Sequence, residues 1–240
     1  TGKQFLTIDC LTVEDFRNVA YKILDKYNSQ KEEDRQPMLM VLDSLGNLST
    51  EKETKDIADG KSVRDMSKAQ LVKGAFRVLT QKLSIAKVPL IVLNHTYDVI
   101  GSYMPTKEMG GGSGLKYAAT TIIYLSKSQE KEGTERVGNI IKAKVVKSRI
   151  SKENEQIATR LYYDKRGLDK YYGLLELAEK GGIWKKVSTR YEVDGKKIYG
   201  SEIYKNPEKY FTQEVLEQID TVAKQTFSYG NGESTTNDSE

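Results

Sequence analysis

The sequence predicts an α/β protein: a mainly parallel sheet flanked by helices, an antiparallel extension, and a small α+β domain behind it. Three observations carry this. Met38-Leu39-Met40-Val41-Leu42 is an unbroken apolar run that ends in Asp43 and Ser44. Val88-Pro89-Leu90-Ile91-Val92-Leu93 is a second, ending in Asn94 and His95. Runs of this kind suit strands buried on both faces, and a helical-period segment precedes each, the alternation of a parallel sheet covered by helices. From Thr120, strand-like segments follow one another without helices between them, so an antiparallel meander is expected to extend the sheet.

Each element has a local reason. Phe5-Leu6-Thr7-Ile8 reads as a short strand. Thr12 can cap a helix, with Asp15 placed to complete a capping box, and Phe16, Val19, Ala20, Ile23 and Leu24 recur at helical spacing. Lys26 to Pro37 is a polar connection before the first apolar strand. Ser49 to Met66 is charged and poor in large apolar residues, which predicts an exposed loop or weak helix. Ser67 to Leu83 is a helix with Leu71, Ala75, Val78, Leu79 and Leu83 on one face. After the second apolar strand, Thr96 to Gly114 is a long glycine-containing loop, followed by a short helix over 113–119. A loop of that length inside a compact domain is a functional candidate or disordered.

The meander consists of Thr120 to Leu125 and Ile140 to Val146, joined by the polar hairpin Lys127 to Gly138, then Ile157 to Tyr163. From Leu168 the character changes. Tyr172 to Ala178 reads as a helix. Ile183 to Lys186 and Arg190 to Tyr199 read as a small hairpin turning at Asp194-Gly195. Glu208 to Phe227 is a final helix, and the Asn/Ser/Thr/Gly-rich tail from Gly230 is expected to be disordered. The division is therefore 1–166, 167–229 and a tail over 230–240.

Composition removes several function classes. The chain has 240 residues, one large or two small domains, and 38% of them are hydrophobic, enough for a core. A net charge of +4 does not by itself indicate nucleic acid. A single cysteine, Cys10, excludes an intrachain disulfide and fits a reducing compartment. One Cys and one His exclude a zinc finger or a multi-histidine metal site. No apolar run approaches a bilayer span, and no signal peptide opens the chain.

The chemistry-bearing residues come in four groups. The first is Asp43-Ser44-Leu45-Gly46-Asn47-Leu48, an acid at the carboxyl end of a buried strand, where open α/β sheets place their ligands. An acid there is the usual means of holding a nucleotide's magnesium, directly or through water. The second is Asn94-His95-Thr96-Tyr97. The third is Gly110-Gly111-Gly112-Ser113-Gly114. The fourth is Lys147-Ser148-Arg149, whose two basic residues alternate at a strand end and so share a face.

In order and spacing these groups resemble the recombinase core of the RecA family, and in particular its UvsX-type bacteriophage branch. The resemblance is clear from about Thr12 to Ala178. It implies a RecA-like P-loop ATPase core, ATP and Mg²⁺ as cofactors, single- and double-stranded DNA as partners, self-assembly into a helical filament, and single-strand-binding and mediator proteins as further partners. The expected activity is DNA-dependent ATP hydrolysis serving homologous recombination and repair, in a bacterial host's cytoplasm for a phage protein.

Residue by residue, the resemblance implies a Walker B role for Asp43, holding Mg²⁺ through water, with the Ser44 hydroxyl in the same network. It makes His95 the γ-phosphate sensor and catalytic partner of Asp43. It gives Lys147 and Arg149 an arginine-finger role toward a neighbour's nucleotide, and Tyr162 a place against adenine. It makes Gly111, Gly112 and Ser113 DNA-backbone contacts, with Tyr103 and Met104 inside the second DNA-binding loop. Lys73 and Arg77, four apart on one helix face, follow a segment like the first DNA-binding loop. They are DNA contacts or an ordinary solvated face.

The family pattern breaks at one point. A P-loop requires G-x-x-x-x-G-K-[ST], and the sequence contains none. Gly60-Lys61-Ser62 lacks the first glycine, because that position is Lys55. The family's P-loop and catalytic glutamate lie upstream of the stretch that matches here. The chain, which starts at Thr1, is therefore expected to be a C-terminal portion, inactive by itself. Two other readings stay open: an ATPase-incomplete DNA-binding or filament-modulating fragment, and a RecA-like hexameric helicase.

Overall fold

The computed structural model describes residues 5–61, 67–98 and 107–229. The fold is mixed α/β and divides into two compact units, Thr1–Ala119 and Thr120–Glu240. This division lies well before the change of character at Leu168.

The first unit is built on two helices and a parallel strand pair. Phe5-Leu6-Thr7-Ile8 is not a strand: it is irregular, and Phe5 and Leu6 are 84% and 78% exposed. Helix α1 (Val13–Asn28) starts at the expected cap. The Thr12 hydroxyl accepts from the Asp15 amide at 3.0 Å, and the Asp15 carboxylate accepts from the Thr12 amide at 3.1 Å. Strand β1 (Met40–Leu42) follows. Helix α2 (Glu51–Ala58) is capped by Thr50 and contributes no buried residue, as its charged composition predicts. Helix α3 (Lys68–Ala86) lays Val72, Ala75, Phe76, Leu79 and Leu83 against α1. Leu24, Val72 and Leu79 are fully enclosed, each burial stabilising the fold by roughly 1.5–3 kcal/mol.

Strand β2 (Leu90–Val92) pairs with β1 in parallel, Met40 opposite Leu90 and Leu42 opposite Val92. The expectation of strands buried on both faces is corrected here. Met38, Met40, Leu42, Leu90 and Val92 face the α1–α3 core, but Leu39, Val41 and Ile91 are 56%, 57% and 51% exposed. With a side-chain period of two and helices on one face, alternate residues of an all-apolar run point outward. Strands β3 (Thr96–Asp98) and β4 (Lys107–Met109) pair antiparallel, so the expected loop has an ordered stem. Helix α4 (Ser113–Ala118) closes the unit.

The second unit opens with a long meander of β5 (Thr121–Glu132), β6 (Glu135–Ser148) and β7 (Gln156–Tyr162), ordered β5-β6-β7. The polar stretch read as a connecting hairpin is mostly ladder: pairing runs out to Glu132 opposite Glu135. Behind it stand α5 (Leu174–Lys180), β8 (Lys185–Val187), β9 (Arg190–Val193) and β10 (Lys196–Tyr199). Asp194 and Gly195 both have positive φ, 49° and 74°, the backbone of a tight hairpin turn that Asp-Gly favours. Helices α6 (Gly200–Lys205), α7 (Pro207–Tyr210) and α8 (Gln213–Phe227) complete it. The single final helix expected over 208–227 is thus broken around Phe211. Phe211 instead buries its ring against Trp184, with centroids 5.1 Å apart.

Among the described residues the only parallel ladder is β1–β2, so the mainly parallel sheet of the sequence reading is replaced by mostly antiparallel pairing. The reason is connection length. Two-residue turns such as Gly133-Thr134 and Asp194-Gly195 permit only antiparallel neighbours, while the long α2–α3 crossover permits a parallel one.

Candidate functional site

In the first unit the two strand tips meet. Asp43 lies just past β1 and its side chain is exposed, whereas Ser44 is buried. The Leu93 amide donates to the Leu42 carbonyl and the Leu45 amide to the Leu93 carbonyl, both at 2.9 Å, so the parallel pairing runs past the strands. This sets the Ser44 hydroxyl 3.5 Å from Nε2 of His95. The imidazole lies directly over Gly46, where any Cβ would strike its Cδ2. Gly46 is therefore a site residue that the sequence reading quoted without giving it a role.

The next residue back ties this tip to the glycine cluster. The Asn94 carboxamide donates to the Gly110 carbonyl at 2.7 Å and accepts from the His95 amide at 2.9 Å. The Gly110 amide returns a bond to the His95 carbonyl at 3.1 Å. Gly111 and Gly112 have φ of +93° and +75°, conformations that favour glycine. A Cβ on Gly111 would touch Leu45, Val72 and Leu115, and one on Gly112 would press Ala69 at 3.3 Å. Gly114 sits on the stem of Lys73, too close for any side chain. The packing of α4 on α3 thus brings Lys73 beside the cluster. Arg77 is one turn further along α3, exposed, and its charge acts on Tyr21 of α1. Ser113 opens α4, while Tyr103 and Met104 lie outside the described residues.

In the second unit, Lys147 is half-buried near the end of β6 and Arg149 is exposed just beyond it. The two are close: desolvation, then the Arg149 charge, hold the Lys147 ammonium below the usual lysine range, with Glu153 acting in the opposite sense. The strand end is fastened by Ser148, whose hydroxyl accepts from the Ile150 and Ser151 amides at 3.2 and 2.9 Å, and whose amide donates to Glu153 at 2.9 Å.

Tyr162 has guanidinium groups against its ring, Arg166 at 3.8 Å and Arg160 at 4.8 Å from the centroid. Burial raises its phenol pKa and the two arginines oppose that rise. Arg160 is a hub that the sequence reading missed. It bonds Asp169 at 2.7 Å and Glu130 at 2.8 Å, and lies over the rings of Tyr172 and Tyr204. Desolvation works against its charge, but the two carboxylates outweigh that and raise its pKa. The available signal was Arg160 and Tyr162 alternating on one strand face. Tyr162 and Arg160 also line a groove of about 620 Å³ with Glu130, Tyr191 and Tyr204.

The fit of a magnesium ion can be judged from the donors. No cluster of three or more Asp, Glu, His or Cys occurs among the described residues, so no all-protein cage exists there. Asp43 and Ser44 instead offer one exposed carboxylate and one hydroxyl. This suits Mg²⁺, which keeps several waters and takes one or two carboxylates plus substrate phosphates. Among the described residues no helix is long and apolar enough to cross a membrane.

Two strand tips joined by a serine–histidine contact, with a glycine cluster fastened to the second tip, define a mixed α/β protein whose candidate site lies at the carboxyl ends of its parallel strands. Comparison with known proteins shows its family. The RecA N-terminal domain model matches residues 18–169, and the chain belongs to the RecA family. It is 38% identical over 146 residues to the recombination and repair protein of Enterobacteria phage T4, covering 61% of this chain and 37% of that protein. It is 30% identical over 132 residues to the RecA protein of Paenarthrobacter aurescens, covering 54% and 38%. It is also 30% identical over 183 residues to that of Mesoplasma florum, covering 71% and 53%. The chain therefore spans about a third to a half of the curated relatives it matches.

Proposed function

We propose that the chain serves homologous DNA recombination and repair as part of an ATP-dependent recombinase that coats single-stranded DNA as a filament and exchanges strands. The observation that carries this is the Ser44–His95 contact between two parallel strand tips, next to Asp43, with Asn94 linking the His95 tip to the glycine cluster beside Lys73. Asp43 holds Mg²⁺ through water and Ser44 belongs to the same network. His95 answers to the γ-phosphate. Lys147 and Arg149 supply positive charge toward the nucleotide of a neighbouring subunit, and Tyr162 stands beside adenine. The bound magnesium would supply charge neutralisation on the phosphates.

DNA is held by Lys73, Arg77 and the close-approach backbone of Gly111, Gly112 and Ser113, with Tyr103 and Met104 in the same loop. These contacts go to phosphates and stacked bases, not to base edges. The partners are single- and double-stranded DNA and further copies of the protein. The membership of the RecA family and the likeness to the phage T4 recombination and repair protein support this reading.

The test is the double substitution Lys73→Ala with Arg77→Ala. Binding of labelled single-stranded oligonucleotides, followed by anisotropy over a salt series, should weaken similarly for every sequence. The log–log salt slope should flatten by about one for each lost phosphate contact. If the double variant binds as the unaltered chain does at every salt concentration, this helix face is an ordinary solvated surface and the assignment to it fails.

A further inference from the structure

We propose that Asn94 is the positioning residue that sets the glycine cluster against the His95 strand tip, and that its carboxamide is required because it donates and accepts at once. The inference rests on the DNA-binding reading above but has its own readout. After Leu93, whose backbone carries the parallel pairing one step past β2, the chain turns into the β3–β4 stem, and among the described residues no strand pairs with Asn94. Asn94 takes over the work of a ladder pair. Its Nδ2 donates to the Gly110 carbonyl at 2.7 Å and its Oδ1 accepts from the His95 amide at 2.9 Å. The Gly110 amide closes the ring by donating to the His95 carbonyl at 3.1 Å.

The consequence is a fixed distance between two groups with separate jobs. On one side His95 is held over Gly46 and within reach of Ser44. On the other, Gly112 rests on Ala69 and Gly114 on Lys73, which anchors the cluster to α3. Asn94 is the side chain that joins the two. Aspartate at this position keeps the acceptor but loses the donor, and its carboxylate faces the Gly110 carbonyl. Alanine loses both bonds. Asn94 touches no reacting atom in this arrangement and acts through His95 and Gly110.

The discriminating experiment is amide hydrogen exchange on the full 240-residue chain with Asn94→Ala and Asn94→Asp. Rates are expressed as protection relative to the unstructured peptide, so that pH effects on intrinsic exchange cancel. In Asn94→Ala, protection of the His95 and Gly110 amides should fall roughly tenfold, the scale of one lost hydrogen bond, while the α1 and α3 amides stay as they were. In Asn94→Asp the acceptor for the His95 amide is kept, so at pH 7 the loss is expected at the Gly110 amide, on the side where the donor is gone. It should be recovered on acidification through the introduced carboxyl, at or somewhat above its ordinary value of about 4. The protonated acid can again donate to the Gly110 carbonyl. Asn94→Ala and the unaltered chain should show no such recovery.

If alanine lowers protection throughout the unit, the aspartate variant decides, because general destabilisation is not reversed by acid. Unchanged His95 and Gly110 protection in Asn94→Ala, or no acid recovery in Asn94→Asp, overturns the proposal. Oligonucleotide anisotropy is read in parallel and should show about three- to tenfold weaker binding in Asn94→Ala. If the unaltered chain binds no oligonucleotide while the exchange pattern holds, the DNA reading fails and the positioning role stands.

Discussion

Asp43→Asn, placed in a version that also carries a P-loop, should lower ATP turnover by roughly 100-fold or more. That is the scale of removing a group that acts on charge developing in the transition state. The substitution keeps shape and removes one negative charge from the tip of β1. Because the Asp43 side chain is exposed and the buried neighbours Leu42, Ser44 and Leu45 are untouched, stability should change by no more than about 0.5 kcal/mol. Loss of turnover without loss of stability separates a metal-side role from a structural one. Turnover equal to the unaltered protein at saturating magnesium would remove Asp43 from the site.

Arg160→Ala should strongly destabilise the second unit, by about 3–5 kcal/mol, because it strands two charges. The Arg160 side chain is 12% exposed and its partners Glu130 and Asp169 are 19% and 14% exposed. Removing the guanidinium leaves both carboxylates partly desolvated and opens space against Tyr162, Tyr172 and Tyr204. The sole tryptophan provides the readout. Trp184 is buried in this unit against Phe211, so its fluorescence during denaturant unfolding reports this unit. A midpoint unchanged from the parent would show that the hub contributes nothing net.

Much of this architecture was legible because single residues carry local physics. Thr12 and Asp15 announce a capping box wherever they stand three apart before an apolar stripe. Asp194-Gly195 announces a tight hairpin turn because both residues tolerate positive φ. The acid and the histidine at the ends of two apolar runs were legible for the same reason. What failed did so where context decides. Phe5 to Ile8 has strand composition but no pairing partner among the described residues. Lys127 to Glu132 pairs along its length although both faces are polar, and no hydrophobic period marks a strand that meets water on both sides. Leu39 and Val41 are as apolar as Met40, so the run alone could not say which face would be covered. The Arg160 hub and the Asn94 link depend on residues distant in sequence, Glu130 for one and Gly110 for the other. Only the fold brings them into reach.

The tip-and-glycine arrangement of the first unit is proposed to serve a sequence-tolerant single-strand site. The most direct measurement is an anisotropy titration of labelled single-stranded oligonucleotides, equal in length and different in sequence, with the unaltered chain over a series of salt concentrations. Affinities should lie within about twofold of one another, and log affinity should fall linearly with log salt, because added salt weakens the gain from counterions released by the strand. No binding at the lowest salt, or a strong preference for one sequence that added salt leaves unchanged, would contradict it.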